Sequence, residues 1–415
     1  MKVLLIGSGG REHAMAYQLA QSPKVSEIIV VPGNPGIAKE LKCCCLDLPD
    51  YQAMVDFAKT NQIDLTVVGP EVPLCEGICD LFRQENLLIF GPGKAEAALE
   101  GSKKFAKDFM AEFKVATADH VAFTDLASAL EYSKTAQYPL VIKASGLCAG
   151  KGVVICDGPE EASVALDSCM TDQLPQGAGA TVIIEEFLTG PEVSVLAIYD
   201  GKGIYPMISA TDHKRVGEGD TGANTGGMGS IAPSPYFSES AQADFEQNIL
   251  RPTLNGLNAR RFHDPACIFF GLMLTEQGVK LLEYNMRFGD PETQSVLTLL
   301  ESDLYEILVK ACHGTLTPDD LKFSNESAIC VIGAAHGYPG PYVTGIELNF
   351  PKVQGIKLFI AGARAIDSRL VSSGGRIFGA TAKGPLAEIQ PRIMAYMSHF
   401  SDQPIIWRED IGLVK

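Results

Sequence analysis

From Lys2 to about Phe90 short β-branched runs alternate with amphipathic ones, and that alternation restricts the fold more than anything else in the chain. Val3 to Ile6, Ile28 to Val31 and Leu65 to Val68 have the length and residue types of buried strands, whereas Glu12 to Gln21, Tyr51 to Thr60 and Leu74 to Gln84 repeat with helical spacing. Strand following helix following strand predicts a parallel sheet with helices on its faces. Ligands of such sheets collect beyond the carboxyl ends of the strands. Gly7-Ser8-Gly9-Gly10-Arg11-Glu12, Pro32-Gly33-Asn34-Pro35-Gly36 and Gly69-Pro70-Glu71 all fall there, so three strand ends converge on one crevice.

A chain of 415 residues exceeds what one hydrophobic core usually holds. Gly91-Pro92-Gly93 breaks the first unit, and Ser102 is placed to cap a helix running to Phe113. The expected division is 1–100, 101–325 with a small α+β lobe at about 118–190, and a β-rich closing segment, 326–415, with one late helix from Leu386 to Ser398. Lys plus Arg number 34 against 50 Asp plus Glu, a net charge of −16, which repels phosphate backbones and anionic lipids; neither nucleic acid nor membrane is an expected partner. The segment Met1 to Gly7 lacks the layout of a signal peptide, and no apolar run approaches the roughly 18 residues of a spanning helix. With 11 cysteines in no regular framework, a reducing compartment is expected, hence the cytoplasm. Cys43, Cys44 and Cys45 would alternate faces of a strand and read as small buried hydrophobes rather than metal ligands.

Glu283-Tyr284-Asn285-Met286-Arg287-Phe288-Gly289-Asp290-Pro291-Glu292 follows the strand-like Val279 to Leu282. Residues two apart in a strand share a face, so Glu283 and Asn285 offer two oxygen ligands together, a set that suits Mg²⁺ held jointly by protein, phosphate and water. Arg287 is next along, within reach of a phosphoryl group. An edge strand with solvated polar residues would show the same local pattern. Ala144 to Gly152 carries Gly146, Gly150 and Gly152 between two strands with Lys143 and Lys151 at its ends, which suits a backbone cradle for phosphates, as it would also suit a plain hairpin tip. Glu185, Glu186, Phe187 and Leu188 end the next strand as a candidate hinge whose backbone reads an adenine edge, with Glu192 placed for ribose hydroxyls. Asp212-His213-Lys214-Arg215 and Asn224-Thr225-Gly226-Gly227-Met228-Gly229 lie in a long loop, and long loops are usually functional. His213 beside no nucleophile receives no catalytic role.

Taken in order, these segments resemble the phosphoribosylamine–glycine ligase (glycinamide ribonucleotide synthetase) family of the ATP-grasp superfamily, from Met1 to Asp410-Ile411-Gly412. Gly101-Ser102-Lys103 and Arg287 to Gln294 add to the match. The resemblance implies an α/β and α+β multidomain protein: an N-terminal parallel-sheet domain, a two-lobed ATP-grasp domain and a β-rich C-terminal domain. It implies ATP-dependent joining of glycine to 5-phosphoribosylamine through a glycyl phosphate in purine biosynthesis, with Mg²⁺ or Mn²⁺, by a monomer or weak homodimer. By that match Lys103, Lys143, Gly150, Lys151 and Gly152 serve the nucleotide phosphates or adenine, Glu185 to Leu188 the adenine and Glu192 the ribose. Glu283 and Asn285 hold the metal, and Lys214 and Arg287 stabilise the transferring phosphoryl group. At the first strand end Gly9, Gly10 and Arg11 offer backbone donors and a helix N-terminus to the sugar phosphate and Glu71 suits its ribose hydroxyls, related ATP-grasp ligases imply Arg376 closing over that phosphate, and Asp290 is placed at the glycine ammonium by its charge alone. Ser145 stands where the family has aspartate, and Phe262 to Pro265 and Ile360 to Ala363 also depart from its pattern. Another ATP-grasp carboxylate–amine ligase and a weakly active nucleotide-binding regulatory paralogue therefore remain alternatives.

Overall fold

A computed structural model describes residues 1–148, 152–171, 174 and 177–413. Five parallel strands open the chain in the spatial order Cys43–Cys45, Glu27–Pro32, Lys2–Gly7, Leu65–Val68, Ile89–Phe90. The order reverses on either side of Lys2–Gly7, which makes its carboxyl end the switch point where such sheets bind ligands. The helix Gly10–Gln21 starts there. The single helix expected from Leu74 to Gln84 is two, Glu71–Glu76 and Ile78–Gln84, because Gly77 takes φ +97° between them and ends the first in a left-handed cap. Glu71 thereby opens a helix at the mouth of the crevice. Cys43–Cys45 does alternate, but it is an edge strand: Cys44 is exposed and its neighbours half-buried, which corrects the expectation that all three are core residues.

A lobe with its own core follows. His120–Phe123, Val182–Glu186, Leu140–Ala144 and Val153–Cys156 form an antiparallel sheet in that order, covered by the helices Leu126–Ser133 and Pro159–Met170 around Leu140, Ile142, Leu166, Val182 and Ile184. The rest of the chain is organised by one larger sheet, running Gly278–Asn285, Ala266–Thr275, Glu192–Tyr199, Ile204–Asp212, Gly229–Ala232, Ser327–Ala335, Arg376–Gly384, Lys357–Ile360, with Ile405–Ile406 against Ser327–Ala335. Pairing of Gly229–Ala232 with Ser327–Ala335 carries this sheet without a break into the closing segment. The helix Glu292–Leu299 is buried on nearly every side, lying between Gly10–Gln21 and the sheet. The late helix spans Leu386–Met397, as its apolar periodicity predicts. Among the described residues no helix is long and apolar enough to cross a membrane.

Candidate nucleotide and substrate site

The strand Gly278–Asn285 carries the metal-binding expectation, and its register explains how polar residues come to face the crevice. Gly271 pairs with Glu283 but Leu272 pairs with Leu281, so Leu282 is an extra residue in the ladder. A bulge of this kind shifts the alternation by one position. Val279 and Leu281 point into the core before it and Tyr284 after it, leaving Glu283 and Asn285 together on the opposite face. Without the bulge both would share the core face with Leu281.

Glu283 has no hydrogen-bond or ion-pair partner among the described residues. Enclosure disfavours its charge, but Lys214, Lys143, Lys103 and Arg287 surround it and hold its carboxyl below the usual range. Lys103, at the start of the helix Lys103–Phe113, likewise has no side-chain partner there. Its backbone N–H donates to Ser145 O (2.8 Å), while Ser145 Oγ accepts from the N–H of Lys104 (3.0 Å) and lies 3.3 Å from the capping Ser102 Oγ. Ser145, where the resemblance leads one to expect aspartate, thus completes a helix N-terminus beside the glycine-rich loop. Of that loop, Gly150 and Lys151 lie outside the described residues; the carbonyl of Gly152 accepts from Ala144 N–H (2.8 Å).

Lys143 Nζ donates to Glu185 Oε2 (2.9 Å), and Lys107 Nζ reaches the same oxygen at 3.1 Å. All three side chains are buried, and desolvation pushes Lys107 down to about 8 despite Glu185. The Glu185 side chain lies on the face opposite the lobe's core residues Val182 and Ile184 and is taken up by Lys143 and Lys107; the sheet ladder ends at Glu186, which is exposed, with Phe187 half-buried and Leu188 packed on Ala118 and Met273. Lys214 pairs with Glu192 (2.5 Å). Enclosure opposes the ammonium charge, yet Glu192, Glu283 and Asp212 together raise the Lys214 pKa. Asp212 and Glu292 face one another under heavy desolvation and both carboxyls are raised; Glu292 is anchored by Ser194 Oγ (3.0 Å), and Asp212 Oδ1 is buried without a hydrogen-bond partner. Gly227, at φ +105°, lets the glycine-rich loop pass over Asp212, where a Cβ would sit 2.6 Å from that oxygen.

On the N-terminal side, Glu12 Oε2 accepts from Gly9 N–H (2.6 Å) and its Oε1 from Arg11 Nε (2.5 Å). A Cβ on Gly69 would lie 2.0 Å from the same carboxylate, and one on Gly7 2.5 Å from the Glu12 side chain, so the first and third glycine turns close around Glu12. Arg11 is buried and donates onward to Phe288 O (3.1 Å), which makes it a strut between the first helix and the Arg287 turn rather than a free guanidinium. Arg287 Nη2 donates to Asn285 Oδ1 (3.2 Å). Its Nε contacts Glu100 (3.1 Å) and Glu71 (3.5 Å) without the alignment of a hydrogen bond. Glu100 is buried and raised by desolvation against the pull of Arg287, and accepts from Met286 N–H (2.7 Å). Arg376 Nη2 pairs with Asp290 Oδ2 (3.2 Å), and its Nη1 donates to Asp290 O (2.9 Å) and Gly226 O (2.5 Å). Gly10 lies beside this corner, a Cβ there meeting Gln294 and Ala361.

The charged residues Glu71, Lys103, Lys143, Glu192, Lys214, Glu283, Arg287, Asp290 and Arg376, with Asn285, Gly9 and Gly10, are thus linked into one polar cluster, while Glu186 to Leu188 run past it and Gly150 and Lys151 are not described. Glu12, Glu100, Lys107, Asp212 and Glu292 belong to it and were not anticipated as site residues. Lys107 has one visible signal, its place one turn after Lys103 on the apolar face of a helix. A two-oxygen donor set with an unpartnered ionised carboxylate fits a hard divalent cation shared with phosphate oxygens. No group of three or more His, Cys, Asp or Glu able to hold a metal alone occurs among the described residues.

Sequence comparison matches the chain to the phosphoribosylglycinamide synthetase N domain over residues 1–100, its ATP-grasp (A) domain over 101–293 and its C domain over 328–414. Phosphoribosylamine–glycine ligase of Clostridium acetobutylicum is 46% identical over 416 residues, covering 100% of both chains. The Escherichia coli protein of that name is 43% identical over 99% of this chain and 98% of its own. Among solved structures, phosphoribosylamine–glycine ligase of Thermotoga maritima superposes with TM-score 0.87 at 29% identity, covering 99% of this chain and 100% of that one. A biotin carboxylase domain from Hydrogenobacter thermophilus, in complex with MgADP, superposes with TM-score 0.72 at 15% identity over 96% of this chain and 89% of its own, a likeness of fold. From the first strand to the last the chain belongs to the phosphoribosylglycinamide synthetase family.

Proposed function

We propose that the protein joins glycine to 5-phosphoribosylamine, converting ATP to ADP and phosphate. The observation that carries this is the ionised Glu283, without a partner among the described residues and ringed by Lys103, Lys143, Lys214 and Arg287, with Arg287 in turn meeting Glu71 at the glycine-rich end of the parallel sheet. A glycine carboxylate oxygen attacks the γ-phosphorus and ADP leaves; the amine of phosphoribosylamine then adds to the acyl carbon, loses a proton, and inorganic phosphate departs. Neither step needs a side-chain nucleophile, so catalysis is positioning and charge neutralisation. Lys103, Lys143 and Lys214 meet the phosphates, and Arg287, backed by Glu100, meets the transferring group. The segment Glu185–Leu188 supplies backbone to adenine, and Glu192 takes ribose once Lys214 turns to phosphate.

Glu283 and Asn285 would hold Mg²⁺, or Mn²⁺ in its place, which when bound neutralises phosphate charge. The backbone at Gly9 and Gly10, with Glu71, receives the sugar; Arg376 closes over its phosphate and Asp290 meets the glycine ammonium. The lobe at about 118–190 is the lid. The partners are these small molecules, with no nucleic acid or membrane, and the working unit is a monomer or weak homodimer in the cytoplasm. Ser145 satisfies the helix N-terminus it meets, which supports an active enzyme. The test is ADP release with glycine and freshly made phosphoribosylamine omitted in turn: release should require both, and release indifferent to either one would overturn the reading.

A further inference from the structure

His13, the residue after the first glycine motif, and Asn34, within the second, take no part in the ligand binding proposed above, yet both are buried and fully engaged. His13 Nδ1 accepts from the backbone N–H of Ile360 (2.8 Å), so its Nε2 carries the proton and donates to Glu40 Oε1 (2.9 Å). Lys357, stacked 4.0 Å over the Tyr17 ring, meets the same Glu40 oxygen (2.5 Å). Asn34 Nδ2 donates to Ile360 O (2.8 Å) and to Ser8 O (2.8 Å), while its Oδ1 accepts from Gly36 and Ile37 N–H at 2.8 and 3.0 Å. Both peptide groups of one C-terminal residue, Ile360, are thus held by two N-terminal side chains, one of which also holds the Gly7–Gly10 turn.

The next two residues transmit that hold. Ala361 N–H donates to Ile377 O (2.8 Å) and Gly362 N–H to Arg376 O (2.9 Å), so the backbone of Arg376 is registered against the clamped segment. The Arg376 guanidinium then spans Asp290 and Gly226. A continuous path of hydrogen bonds runs from the first and second strand ends of the parallel sheet to the Arg376 guanidinium.

We propose that His13 and Asn34 are positioning residues that set Arg376 over the sugar-phosphate end of the crevice, acting through Ile360–Gly362. This rests on the assignment of Arg376 to the sugar phosphate made above. It makes recognition of the acceptor depend on contact between the N-terminal and C-terminal segments, so the acceptor end is preformed while the nucleotide end waits on the lid. Removing one side of a buried, fully paired hydrogen bond leaves its partner unsatisfied, which is why single substitutions should register.

The test is steady-state kinetics on the full chain with each substrate varied. Asn34→Asp keeps the acceptor for Gly36 and Ile37 but loses the donor to Ile360, and His13→Asn keeps an acceptor near the Nδ1 position that His13→Ala removes. In N34D and H13A the KM for phosphoribosylamine should rise about tenfold while the KM values for ATP and glycine move less than about twofold, and H13N should recover most of the loss. Each variant combined with R376A should lose less than the sum of the two single effects. Calorimetric titration of ribose 5-phosphate gives the same comparison without turnover. Should H13A fail to fold, N34D and H13N carry the test. An active parent whose variants keep its phosphoribosylamine KM, raise all three KM values alike, or lose additively with R376A overturns the proposal. A parent without glycine-dependent ADP release overturns the functional reading instead.

Discussion

Glu283 sits ionised among Lys103, Lys143, Lys214 and Arg287 with no hydrogen-bond or ion-pair partner among the described residues, and a carboxylate so placed is available to something else. Glu283→Gln keeps its shape and removes its charge, and ADP release should fall by about a thousandfold or more at unchanged fold, followed by steady-state assay beside circular dichroism. Near-parental turnover would remove the metal assignment. Lys107 gives a second residue-scale outcome. Burial holds its pKa at about 8, below the ordinary lysine value of 10.5, so between those pH values the unfolded chain binds a proton that the native chain does not. Stability from this group therefore rises with pH across that window, by at most about 1.4 kcal/mol per unit. Lys107→Met should flatten the rise, read from urea denaturation at pH 8 and pH 10. Residues whose chemistry lies in neighbouring motifs, such as Glu283, Asn285 and Arg287, were legible in the sequence because spacing alone brings them together. Glu100 and Lys107 were not, because their partners, Arg287 and Glu185, are distant in sequence and meet them only through packing.

At the scale of elements, strand and helix identity followed from periodicity, and the failures have local causes. Gly77 splits a helix whose apolar spacing continues across it, and Leu282 inserts a bulge that no alternation pattern announces. The bulge matters more, since it moves Glu283 and Asn285 off the core face. The helix Lys103–Phe113 shows a compensated departure: Ser102 caps it at Phe105 N–H (3.2 Å) and Ser145 reaches it from the lid. An oxyanion beside exposed helix N–H groups is favourable, so Ser145→Asp should raise stability by about 0.5 kcal/mol and Ser145→Ala lower it by about 1 kcal/mol. Opposite shifts in thermal midpoint are the expected result; shifts of the same sign would deny Ser145 its capping role.

For the whole molecule the decisive fact is which cores are shared. The sheet from Gly278–Asn285 to Lys357–Ile360 crosses residue 326 through long-range pairing, for which a sequence carries no local mark, and it joins the nucleotide-facing strands to the segment bearing Arg376. The lobe around Leu140, Ile142 and Val182 instead packs on itself, and only a few strand and helix contacts tie it to the rest. A unit with a small private core opens at lower cost than a strand buried in a common one. In the free protein, backbone amides of Leu140–Ala144 and Val182–Glu186 should therefore exchange with deuterium well before those of Ala266–Thr275. If ATP with magnesium spans both units, as the proposed function requires, it should slow exchange in the lobe by about tenfold or more at saturating concentration, leaving the shared sheet nearly unchanged. Uniform exchange, or protection confined to the large sheet, would mean that the lobe is not the part that moves, and the acceptor end would lose its role as the fixed wall against which the nucleotide closes.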